Sequence, residues 1–210
     1  MTDSGSDAER PRTPAQALAL LMEGNQRFLA GRSLHPQQDA GTRTAVAPAQ
    51  RPFAVLLGCS DSRLAAEIIF DRGLGDLFVV RTAGHVLGPE VLGSIEYAVA
   101  ALDTPLIVVL GHDSCGAIAA ALAAVEGGAT PPGFIRDVVE RVMLSVLAVR
   151  DEAVADPEAA AQEHIRYTVE LLLDRSTLIA DRVAVGECGV IGLSYRLAEG
   201  SVRRVAAQGV

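Results

Sequence analysis

Pro105-Leu-Ile-Val-Val-Leu-Gly-His-Asp-Ser-Cys-Gly-Ala-Ile-Ala-Ala-Ala-Leu122 is the stretch whose reading decides the fold. Its first six residues, Pro105 to Leu110, form a short, continuous apolar run, which suits a strand covered on both faces in a parallel sheet. The Ala-rich segment from about Cys115 to Val125 then reads as a helix. Strand followed directly by helix is the unit of an α/β protein. Upstream the same unit occurs twice: Phe53-Ala-Val-Leu-Leu57 with a helix from Leu64 to Phe70, and Asp76-Leu-Phe-Val-Val80 with a helix from Pro89 to Leu102. Downstream come helical stretches at about 134–155, 158–174 and 176–184, a last strand from Gly189 to Tyr195, a turn at Glu199-Gly200 and an edge segment from Val202 to Val205. This alternation predicts an α/β fold with a mainly parallel central sheet flanked by helices.

The chain of 210 residues is expected to hold one domain, residues 13–210, behind a disordered tail at 1–12. Thr13 reads as the N-cap of an N-terminal helical arm, with Pro14 at its first position and Gln16 closing a capping box. Leu18, Leu21, Met22 and Phe28 give it an apolar stripe that is expected to pack against a second subunit. Gly31 can end it, and the remainder of 13–50 is expected to wrap the surface. Half the residues are hydrophobic and the formal net charge is −8, which argues against nucleic acid as a partner. No apolar run approaches the ~20 residues needed to span a bilayer. The polar, acidic start is unlike a signal peptide. Three cysteines make no disulfide framework, so a reducing, cytoplasmic setting is expected.

Cys59-Ser-Asp-Ser-Arg63 and His112-Asp-Ser-Cys115 carry the chemistry. Both lie just past the carboxyl ends of expected strands, on the edge where open α/β sheets gather ligands. Two thiols and an imidazole in the pattern C-x52-H-x2-C form a borderline-soft set suited to zinc. Two thiolates would cancel the charge of the ion, so bound water would be acidified less than at a three-histidine site, and neighbouring groups must help. Asp61, held ionised by Arg63, can accept a hydrogen bond from zinc-bound water; alternatively it can bind zinc itself and shut water out. Cys188 reads as a core residue and His35 and His164 as satisfied polar side chains. His85, near the end of the second strand, is expected to be structural or at the surface.

Cys59-Ser-Asp-Ser-Arg63 and Gly111-His-Asp-Ser-Cys-Gly116 resemble the two signature motifs of the β-class carbonic anhydrases. The resemblance continues through Ala66-Glu-Ile-Ile-Phe70, Gly75-Asp-Leu-Phe-Val-Val-Arg-Thr-Ala-Gly84 and Gly93-Ser-Ile-Glu-Tyr-Ala98, and covers roughly residues 15 to 205. It implies one zinc ion bound by Cys59, His112 and Cys115, with Asp61 and Arg63 as a catalytic dyad and Asp61 a ligand only in a closed form. It also implies a substrate pocket using Gln50, Phe78, Tyr97 and the backbone N–H of Gly116, located at a dimer interface. The implied reaction is reversible hydration of carbon dioxide to bicarbonate by zinc-bound hydroxide, in a homodimer or tetramer. The chain departs from the family pattern at Ala117, where a second glycine is common, and at Thr82, where asparagine is common. Two alternatives stand beside this: hydrolysis of carbon disulfide or carbonyl sulfide on the same fold, and a zinc-stabilised module without turnover.

Overall fold

Apolar runs become strands wherever helices can cover them from both sides. The computed structural model describes residues 10–210. Strands β1 (Ala54–Cys59), β2 (Leu77–Thr82), β3 (Leu106–His112), β4 (Gly189–Tyr195) and β5 (Val202–Gln208) form one sheet in the order β2-β1-β3-β4-β5. The first four are mutually parallel, and β5 runs antiparallel to β4 with a register shift at Gly192/Leu193. Every residue of β1, β3 and β4 is buried, whereas the edge strands β2 and β5 are largely half-buried or exposed.

The helices are α1 (Pro14–Leu29), α2 (Ala40–Val46), α3 (Ala66–Ile69), α4 (Pro89–Ala100), α5 (Gly116–Val125), α6 (Ile135–Ala148), α7 (Arg150–Ala155), α8 (Pro157–Arg175) and α9 (Thr177–Ala184). One sheet face packs Leu56, Val108 and Leu110 against Leu21, Ile69, Ile118 and Val142. The other packs Val55, Ile107 and Val109 against Ile95, Ile165, Leu172 and Ile179. The expected 134–155 helix divides at Val149 (φ −125°, ψ 32°) into α6 and α7.

The N-terminal helix starts as the sequence predicts. Thr13 Oγ1 accepts from the Gln16 N–H at 3.2 Å, but the Gln16 side chain turns back to the Arg12 N–H rather than to that of Thr13. Part of its apolar stripe packs on this chain's own core: Leu21 is fully buried, and Leu18, Met22 and Phe28 are partly buried against it. Asn25 donates to the carbonyls of Ile69 and Gly200, and a Cβ at Gly24 would lie 1.7 Å from the Phe70 carbonyl oxygen. Helix α1 therefore lies against α3 and the β4–β5 turn of the same subunit. Buried Asp71 pins the following arm by accepting from the N–H groups of Leu34 and His35 and from Arg27. Most of the tail expected at 1–12 lies outside the described residues; Arg10 is described, and donates to the Pro52 carbonyl at 2.6 Å.

Candidate metal centre

Adjacent parallel strands β1 and β3 end side by side, and their last residues are Cys59 and His112. Both strands run two residues beyond the expected ends, so these two side chains stand on the sheet itself. Ser114 then takes a left-handed φ of 54°, and Cys115 becomes the N-cap of α5. This tight turn returns the chain within reach of Cys59. One side-chain donor atom from each of Cys59, His112 and Cys115 lies within 4.8 Å of the others, and all three residues are buried.

Hydrogen bonding fixes which atoms face inward. His112 Nδ1 lies 2.7 Å from the Asp113 carbonyl oxygen, which can only accept, so Nδ1 carries the proton. Nε2 is left buried without a hydrogen-bond partner. Such an atom is costly unless a ligand takes its lone pair. The Cys115 hydrogen bond brings the Cys59 thiol down to about 4 against its burial, with His112 and the Gly84 N–H helping. The same bond, reinforced by burial, pushes Cys115 up. Burial pulls His112 down, but contact with Cys59 and the Asp113 carbonyl outweighs it and the imidazole is raised. A cluster of two sulfurs and one imidazole lone pair, gathered in a buried site, fits zinc.

Asp61 flanks this cluster and is clamped by Arg63. Its Oδ1 accepts from the Arg63 backbone N–H and from Nε at 2.9 Å each, and its Oδ2 accepts from Nη2 at 2.7 Å. These bonds hold the Asp61 carboxyl well below the usual carboxylate range, with burial opposing. Oδ2 also stands 3.9 Å from His112 Nε2, so the carboxylate faces the cluster.

Three supports of the site go beyond the residues the sequence singles out. Arg81, on β2, donates to the backbone carbonyls of Cys59 and Asp61 at 3.0 and 2.7 Å and so fixes the loop between them. The Gly84 N–H reaches the Cys59 sulfur at 3.4 Å from a 3₁₀ turn, Ala83–His85. Asp113 Oδ1 accepts from the Leu197 N–H at 2.8 Å, tying the His112–Cys115 turn to the β4–β5 connection.

The remaining predicted pocket residues divide. Gly116 opens α5 beside Cys115, and a Cβ there would meet nothing within 4 Å. Phe78 and Tyr97 pair with ring centroids 6.2 Å apart, but Phe78 belongs to the apolar cluster on the sheet face away from Cys59. Gln50 precedes the amino end of β1, where it lines a cleft of about 550 Å³ with Arg10, Arg12 and Arg51. Within one chain these three do not join the cluster at the strand's carboxyl end. His85, expected to be structural or exposed, is buried, with its ring against that of His164.

A carbonic anhydrase family model matches residues 54–202. "Carbonic anhydrase 2" of Mycobacterium tuberculosis is 54% identical over 187 residues, covering 89% of this chain and 90% of that protein. "Carbonic anhydrase" of Mycolicibacterium smegmatis is 53% identical over 189 residues, covering 90% and 92%. Among solved structures, the β-carbonic anhydrase CcaA superposes with a TM-score of 0.71 at 29% identity, covering 89% of this chain and 86% of that one. A tetrameric β-carbonic anhydrase of Sordaria macrospora shares the fold with a TM-score of 0.73 at 24% identity, covering 91% and 98%.

Proposed function

The chain belongs to the β-class carbonic anhydrase family and catalyses the reversible hydration of carbon dioxide, and from that premise we propose that Cys59, His112 and Cys115 hold its zinc while Asp61 and Arg63 control the nucleophile. Zinc bound there supplies a Lewis acid that makes water nucleophilic near neutral pH. The observation that carries the reading is the Asp61 carboxylate, bonded to Arg63 and 3.9 Å from His112 Nε2.

Asp61 works as an acceptor. Held ionised by Arg63, it offers a lone pair of Oδ2 toward the ligand atoms and takes a hydrogen bond only from a species with a proton to donate. Carbon dioxide has none, so Asp61 selects and orients the nucleophile and leaves the substrate to the apolar side of the pocket. The Gly116 N–H, at the amino end of α5, stabilises negative charge developing on a substrate oxygen. Arg81 keeps the Cys59–Asp61 loop in register while this happens.

Gln50, Phe78 and Tyr97 serve the site of a second subunit. This is supported by their distance from the cluster of their own chain and by the exposure of Tyr97, which is 52% accessible although aromatic. The functional unit is then a homodimer or a tetramer built from two dimers; the Sordaria macrospora enzymes that share the fold are tetrameric. Among the described residues no helix is long and apolar enough to cross a membrane, and all three cysteines are free, which supports a reducing cytoplasmic setting.

The alternatives of carbon disulfide or carbonyl sulfide hydrolysis and of a zinc module without turnover are not favoured, because curated relatives matched over nine-tenths of their length are carbonic anhydrases. The deciding experiment is stopped-flow hydration of carbon dioxide alongside zinc content. One zinc per chain with fast hydration is expected; fast hydration by a Cys59→Ser variant that holds no metal would sink the assignment.

A further inference from the structure

Behind Cys59 runs a buried chain of hydrogen bonds that the steps above do not use. Ser145 Oγ lies 2.9 Å from His164 Nδ1, and His164 Nε2 lies 2.9 Å from the Gly84 carbonyl oxygen. The Gly84 N–H then reaches the Cys59 sulfur at 3.4 Å. The direction of each bond follows from its partners. A carbonyl oxygen only accepts, so Nε2 carries the proton and Nδ1 presents a lone pair to the Ser145 hydroxyl. Burial holds His164 down at about 4, with the Gly84 carbonyl and Cys59 opposing, so the ring is neutral near pH 7 and locked in one tautomer.

Gly84 needs such a grip. Its φ is +63°, and a Cβ would come within 2.7 Å of the Ala117 Cβ, so only glycine lets the turn lie this close to α5. No side chain caps the turn's amino end. His164 holds it from α8, Ser145 orients the imidazole from α6, and His85 walls one side of the ring with centroids 4.5 Å apart.

We propose that His164 is a positioning residue of the metal centre. By holding the Gly84 carbonyl it keeps the Gly84 N–H on the Cys59 sulfur, and so governs how tightly that sulfur retains a divalent cation and how much charge it donates. The inference rests on the reading of Cys59, His112 and Cys115 as zinc ligands. Groups that support metal ligands in this way are commonly worth about 10- to 100-fold in metal affinity.

The test uses the full chain, stripped of metal and reloaded with zinc or cobalt(II), with His164→Leu, His164→Gln and Ser145→Ala. Zinc affinity is read by competition with a chromophoric chelator. The cobalt protein's sulfur-to-metal charge-transfer band reports the electron density on sulfur. His164→Leu is expected to bind zinc at least about tenfold more weakly. Its band should move to longer wavelength, because a sulfur without its N–H donor gives up charge more easily. His164→Gln restores an N–H toward Gly84 and should return both readouts most of the way, and Ser145→Ala should fall between. Parental affinity and band position in His164→Leu would overturn the proposal. So would equal losses in His164→Leu and His164→Gln, which would assign the effect to ring packing. If His164→Leu does not fold, parental behaviour of Ser145→Ala overturns it instead. A parent protein that takes up no zinc would instead refute the ligand assignment, on which the inference depends.

Discussion

Oδ2 of Asp61 stands 3.9 Å from Nε2 of His112 while Arg63 grips the same carboxylate through Nη2 at 2.7 Å. The acid is thus placed by one partner and aimed at the other. Asp61→Asn keeps the size and replaces one acceptor oxygen by a donor. We expect zinc content to stay at one per chain while the hydration kcat/KM falls by about 10²-fold or more, the range for loss of a positioned proton-handling group. Near-parental kinetics by stopped flow would remove Asp61 from the mechanism.

The pH dependence follows from the direction of the Asp61 shift. Its folded pKa is depressed, chiefly by the Arg63 side-chain hydrogen bonds and against burial, so the ionised dyad is present above the ordinary carboxylate pKa and is lost only as pH falls through the lower folded value. Removing the guanidinium with Arg63→Ala raises the Asp61 pKa toward the ordinary value of about 3.9. The acid limb of the hydration profile should move to higher pH in that variant. An unmoved limb would show that Asp61 protonation does not shape the profile.

Gln50 can be assigned to a subunit by mixing. In a dimer of one Asp61→Asn chain and one Gln50→Ala chain, a partner-supplied Gln50 leaves one site intact and the other doubly impaired. Co-refolding equal amounts of two individually weak variants should then recover about a quarter of parental activity, since half the dimers are mixed and half of their sites are whole. No recovery would place Gln50 in the site of its own chain, and parental activity of Gln50→Ala by itself would place it outside catalysis.

Gly84→Ala forces a side chain into a left-handed backbone and against Ala117. A loss of about 1–3 kcal/mol in urea unfolding is expected, together with weaker zinc retention. Unchanged stability would mean that the turn relaxes freely, and would weaken the case for its role behind Cys59.

Much of the fold was legible because buried parallel strands are written as unbroken apolar runs, as at Val55–Leu57 and Leu106–Leu110. Their ends were less legible: Gly58-Cys59 and Gly111-His112 continue the ladder, paired with Arg81-Thr82 and Ser194-Tyr195, with no run of large apolar side chains to mark them. Helix α2 was missed because none of its residues is buried, so no stripe marks it; Asp39, which caps it through the Thr42 N–H, was the available clue. That Cys59, His112 and Cys115 gather in one cluster and that Asp61 pairs with Arg63 was readable from residue type and spacing. Arg81 and His164 were not, since both act through backbone carbonyls, and a carbonyl leaves no trace in sequence. Nor can spacing say which subunit a residue such as Gln50 serves.

Cys59 and His112 close two neighbouring, wholly buried strands, and this makes the cluster a jaw rather than a purse. A zinc finger collapses around its ion; here Leu56, Leu57, Val108 and Val109 are fully or almost fully sequestered by the packing on the two faces of the sheet. The hinge of the jaw is therefore hydrophobic, and its gauge is set by strand pairing. The apoprotein should keep the far-ultraviolet circular dichroism of the loaded enzyme and regain activity within the mixing time of added zinc. On the proposed zinc reading, zinc supply alone would idle and restart such an enzyme, with no round of unfolding between the two states.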